Sequence, residues 1–140
     1  MIRQKMIFRL ALYSDSEETK RITEEDFTDI LPFYSDFRRM GDYRQLTNGK
    51  IRTQPNIETV INFAAQEFID LDIEYASIEY ISLWKEKISN VQLIRKRYNF
   101  NLHLDCELVM YKKYPALTFP LDFTKFLAEN DIGFSIDLWE

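Results

Sequence analysis

The sequence predicts an α+β fold: an antiparallel sheet of about four to six strands with helices packed on one face. Three stretches carry that expectation. Residues 99–111 read NFNLHLDCELVMY, with Phe100, Leu102, Leu104, Cys106, Leu108 and Met110 alternating against Asn101, His103, Asp105, Glu107, Val109 and Tyr111. Strand side chains point alternately to opposite faces, so this pattern makes one apolar face and one mostly polar face, as a half-buried antiparallel strand requires. Only its end is apolar on both sides, at Val109 and Tyr111, where a covered outer face is expected. Residues 6–13 and 132–139 alternate in the same way, through Met6, Phe8, Leu10 and Leu12 and through Ile132, Phe134, Ile136 and Leu138. Residues 72–98 instead repeat with helical spacing.

The remaining elements follow in order. Residues 14–19 read as a polar, acidic loop. A helix start comes next: Thr23 suits the N-cap, Glu24, Glu25 and Asp26 load a first turn that favours anions, and Ile22 and Phe27 occupy the hydrophobic-staple positions. Pro32 stops this short helix near Ile30. Residues 33–53 are less regular, with Gly41-Asp42 and Asn48-Gly49 as turn signals among short strand pieces and an exposed loop. Residues 57–70 support two readings. Ile57, Val60, Ile61, Ala64, Ala65 and Phe68 fit a helical stripe capped by Asn56, while Ile57, Thr59, Ile61, Phe63 and Ala65 fit a strand. Between residues 72 and 98 two helices are expected, broken near Ser89-Asn90. Ile78, Ile81, Trp84, Ile88 and Val91 form their buried stripe, and Arg95, Lys96 and Arg97 suit the last turn. Pro115 and Pro120 bracket a short edge strand at residues 116–119. Asp122 then caps a helix with Leu121 and Phe126 as its staple, and Asn130-Asp131 ends it.

A chain of 140 residues matches one domain, and 46% hydrophobic residues suffice to fill its core. Three glycines and four prolines leave little for linkers or a glycine-rich phosphate cradle. The net charge of −5 argues against a nucleic-acid or membrane binder, which normally carries a basic excess. A single cysteine cannot form an internal disulfide, and Cys106 falls on the apolar face, as a buried and unreactive thiol would. Residues 1–13 lack a signal-peptide core and no run approaches membrane-spanning length, so a cytoplasmic location is expected.

Several short motifs recur in a recognisable order. Ile22-Thr23 leads to Phe27-Thr28-Asp29-Ile30-Leu31, then come Arg39-Met40-Gly41-Asp42, Phe126-Leu127-Ala128 and Ile136-Asp137-Leu138-Trp139. In these features the chain resembles the bacterial domain-of-unknown-function family 4279 over nearly its whole length. The resemblance implies a strand for residues 57–67 with two helices after it. It implies no catalytic residues.

Chemistry has few places to reside. His103, Asp105 and Glu107 share one strand face, and an imidazole with two carboxylates is a ligand set for zinc, manganese or iron. Alternate residues on a straight strand diverge, however, and His103 is the only histidine. The competing reading is a solvated sheet face. Cys106 and His103 fall on opposite faces, and no Gly-x-Ser-x-Gly, Gly-x-Gly-x-x-Gly or Gly-Lys-Ser/Thr sequence exists. Arg95, Lys96 and Arg97 with Arg38, Arg39, Arg44, Lys50 and Arg52 compose a basic patch beside aromatics, which reads as solvation of helix ends and loops on so acidic a chain.

The acids are segregated. Residues 15–36 hold eight acids and two bases, and residues 58–79 hold six acids and no base. Helix starts account for Glu24, Glu25 and Asp26 but not for Asp15, Glu17 and Glu18 in the loop. The expected function is therefore non-catalytic protein binding, most concretely that of a bacterial immunity protein neutralising a basic toxin domain. Asp15, Glu17 and Glu18 are the candidate contact residues, joined by Arg38, Arg39 and Asp42 of the following loop. No cofactor, nucleic acid or membrane is expected as a partner. The alternatives are a small metal- or carboxylate-dependent enzyme using His103, Asp105 and Glu107, and a structural or regulatory domain.

Overall fold

The computed structural model describes residues 4–111 and 117–139. The first strand, β1 (Gln4–Ser14), sits in the middle of a six-stranded sheet and buries Met6, Phe8, Leu10 and Leu12. The chain then gives β2 (Tyr34–Arg38), β3 (Thr59–Phe63), β4 (Gln66–Ile69), α1 (Ile73–Trp84), α2 (Ile88–Tyr98), β5 (Asn101–Met110), α3 (Leu121–Glu129) and β6 (Gly133–Trp139). The strand order is β2-β3-β1-β5-β6, with β4 also on β1. All ten residues of β5 pair with β1, from Asn101 opposite Tyr13 to Met110 opposite Gln4. This is the half-buried strand expected from its alternation.

Of the two readings of residues 57–70 the strand one holds, with strands at Thr59–Phe63 and Gln66–Ile69 and no helix between residues 57 and 70. Their mixed periodicity has a physical cause. Asn62 pairs with Ala11 and Gln66 with Phe8, so Phe63, Ala64 and Ala65 span the same stretch as Leu10 and Arg9. One extra residue is a β-bulge, and it exchanges the two faces. Ile61 and Phe63 point to the core before it, and Phe68 packs there after it.

Not every neighbour is antiparallel. β6 runs parallel to β5, with His103 opposite Gly133 and Val109 opposite Trp139, because α3 carries the chain back before β6 begins. The helical pair breaks at residues 85–87 rather than at Ser89-Asn90, since Asn90 Nδ2 donates to the Ile30 carbonyl and fits within α2. The buried helix face keeps Trp84 and Val91 of the expected stripe, with Ile81 and Ile88 packed partly buried against the core, but a rotation exposes Ile78 and brings Ile73, Ala76, Ser77, Tyr80 and Ile94 inward. Aromatic contacts set that rotation. Tyr80 stacks on Phe8 at 4.5 Å, and Trp84 meets Phe63 edge-on at 5.1 Å. Small Ala76 and Ser77 let α1 approach the sheet.

Other local expectations shift. Residues 17–21 form a 3₁₀ turn instead of a loop. Thr23 does mark a helical start, its N–H donating to the Asp26 carboxylate at 2.8 Å, but the regular part is only a 3₁₀ turn, Glu24–Asp26. Ile22 and Phe27 are buried, as a staple requires. Pro120, not Asp122, is the N-cap of α3, and Leu121 is exposed, so no second staple forms. Leu117–Phe119 is irregular rather than a strand, while Pro115 and Ala116 lie outside the described residues. Tyr111 is exposed, not covered.

Candidate functional site

Residues paired directly across strands share a face, so the register maps the surface opposite the helices. One row runs Glu67, Ile7, Glu107, Asp137; the next brings Arg9, Asp105 and Ser135 together; a third joins Asn62, Ala11, His103 and Gly133. The sequence alternation placed His103, Asp105 and Glu107 on this face correctly. It could not show what stands beside them.

Each of the three meets a specific neighbour. Glu107 takes an ion pair from Arg9 at 2.7 Å. Ser135 Oγ donates to Asp105 Oδ1 at 2.9 Å and lies 2.8 Å from His103 Nε2. A serine has one hydroxyl proton to donate, and it is directed to the Asp105 carboxylate, so Nε2 is the donor to Oγ in the matching tautomer. That polarity is the reverse of nucleophile activation, where the imidazole accepts the serine proton. The chain of Ser135, His103 and Asp105 therefore ties β6 to β5 and does not create a nucleophile. Among the described residues no three His, Cys, Asp or Glu side chains converge to hold a metal ion.

Behind this face, Cys106 is fully buried. Burial, reinforced by Asp105, Asp137 and Glu107, pushes its pKa up to about 12. Tyr80, stacked in the core, is also raised, chiefly by burial. Sequence reasoning missed Ser135 and Gly133. The alternation of β6 put both on the polar side, but only the pairing of β6 with β5 gives them a role.

The other candidates lie along residues 15–42. All eight acids between 15 and 36 are exposed. Glu17 and Glu18 occupy the first turn of a 3₁₀ helix whose last turn holds Lys20 and Arg21, and Glu17 pairs with Lys20 at 2.6 Å. These two acids thus have a helix-end role after all. Buried hydroxyls hold this turn in place: Met40 N–H donates to Thr59 Oγ1, Thr59 to Thr19 Oγ1 at 2.7 Å, and Thr19 to the Ser16 carbonyl. Arg39 grips Asp42 through Nε at 3.1 Å and Nη2 at 3.4 Å, and both line a cleft with Thr23, Glu24, Glu25 and Phe37. Glu24 accepts the Tyr34 hydroxyl and raises the phenol's pKa. Arg38 is half-buried near Asp36, and Asp15, Glu17 and Glu18 do not line that cleft.

Among the described residues no helix is long and apolar enough to cross a membrane. No known protein family, curated protein or solved structure matches the chain.

Proposed function

We propose that this chain is a non-catalytic protein-binding domain, most concretely a bacterial immunity protein that neutralises a cognate toxin domain by direct binding in the cytoplasm. One observation carries the reading. The eight acids of residues 15–36 are all exposed, with only Lys20 and Arg21 among them. Such a strip attracts a basic partner and speeds its encounter. Arg39 and Asp42 extend the surface at the cleft they share with Glu24 and Glu25.

The enzyme alternative has less support, because His103, Asp105 and Glu107 are occupied by Ser135 and Arg9. The test is to co-produce the chain with the protein encoded beside its gene. A stable complex that relieves growth arrest by that neighbour supports immunity. A neighbour that neither binds the chain nor harms the cell overturns it.

A further inference from the structure

Beside β2 lies a cleft of about 310 Å³ lined by Arg38, Arg52, Pro55, Ile57, Glu58 and Val60 among others. We propose that it binds a protein segment presenting a carboxylate next to an aliphatic side chain. This inference stands whether or not the partner is a toxin.

Among the described residues Arg38 is an under-paired cation on the open sheet face. Its Nε lies 3.4 Å from Asp36 Oδ2, close enough to pair charges. Yet that buried Nε has no aligned hydrogen-bond acceptor, and neither Nη1 nor Nη2 has one among the described residues. The Arg52 side chain has no partner there either, although its backbone N–H is tied to the Arg44 carbonyl at 2.8 Å. The adjoining wall is fixed by Gly41 and Asn56, through Gly41 N–H to Asn56 O at 2.9 Å and Asn56 N–H to Asp42 O at 2.8 Å. Two guanidinium groups on a held framework suit a carboxylate, whose planar pair of oxygens matches their fork.

Charge and apolar surface narrow the occupant. Residues 43–53 carry Arg44, Lys50 and Arg52 and no acid, a charge of +3 on a chain of −5. The rest of the chain therefore carries −8, which repels an extended polyanion such as nucleic acid or an anionic membrane. Glu58 lines the cleft and Asp36 stands 3.4 Å from Arg38, so two acids already face the two arginines and a single carboxylate is better tolerated there than a phosphate's nearly two charges. Ile57, at the cleft, is 81% exposed, and Ile51 of the neighbouring loop is 65% exposed. An aliphatic neighbour to the carboxylate would cover that surface.

The test uses ¹⁵N-labelled full-length chain titrated at constant ionic strength with N-acetyl-leucine, its methyl ester and inorganic phosphate. The Arg38 Nε–Hε resonance and the Ile57 and Glu58 amides should shift saturably with N-acetyl-leucine. The ester should bind at least about tenfold more weakly, and Arg52→Gln should weaken the acid by about fivefold or more without altering the rest of the spectrum. The proposal is overturned if the shifts are absent or spread over the surface, if ester or phosphate binds as well as the acid, or if Arg52→Gln changes nothing.

Discussion

Gly133 stands where any side chain would strike His103: a Cβ built there falls 2.8 Å from Nδ1. The ring is not free to swing aside, because Nε2 is held by Ser135. Gly133→Ala should therefore cost about 1–2 kcal/mol. Combined with His103→Ala it should cost clearly less than the two single changes added, as measured by denaturant midpoints. Additive costs would mean that the ring yields freely. Cys106 makes a second residue-scale prediction. Fully buried and protonated, it should react slowly with a thiol reagent in the native protein and at once after unfolding. Fast native labelling would reverse the face assignment of β5. The folded thiol's pKa is raised, so its contribution is present at neutral pH. It is lost as pH climbs from about 9 toward about 12, where the unfolded chain ionises first.

At the scale of elements, Arg95 is the clamp between α2, β5 and the turn into β6. Its Nη1 donates to the Asn130 carbonyl at 2.9 Å and its Nε to the Phe100 carbonyl at 3.3 Å. The ion pair to Asp131 adds little, since that carboxylate is 92% exposed. Arg95→Met keeps the stem but takes the side-chain donor from the Phe100 carbonyl, while the Asn130 carbonyl still accepts from Gln92 Nε2 at 2.7 Å, and should lower stability by about 1 kcal/mol in urea unfolding. An unchanged midpoint would reduce the clamp to a surface contact. The bulge makes the other prediction. Removing Ala65 leaves three residues between Ala11 and Phe8's partners reduced to two, so β3 and β4 keep their present pairs. That deletion should preserve the fold and nearly the present urea midpoint, whereas deleting Asn62 should lower the midpoint markedly by turning Phe63 away from Phe33 and Trp84.

Over the whole molecule, charge is segregated into acid-rich stretches at residues 15–36 and 58–79 and a basic stretch at 43–53. Exposed rim charges act mostly on encounter, and buried anchors mostly on dissociation. Changing Asp15, Glu17 and Glu18 together to Lys should slow association with a basic partner by about tenfold at low ionic strength and leave dissociation nearly unaltered. The fold should survive, because all three side chains are exposed. Measuring both rates at two salt concentrations checks this, and an unaffected association rate would move the interface off the strip.

The sequence by itself determined the α+β class, the two faces of β1 and β5, the inward position of Cys106 and the outward position of His103, Asp105 and Glu107. Each of these is a local property, because alternation along a strand assigns faces without reference to any other segment. The tertiary structure decided who stands beside whom. Only the parallel docking of β6 sets Ser135 against His103 and Asp105, and only the stacking of Tyr80 on Phe8 fixes which side of α1 is buried. The bulge at Ala64 and Ala65 shows the boundary between the two kinds of information. One extra residue opposite β1 exchanged the faces, and a periodic reading of residues 57–70 averaged over both.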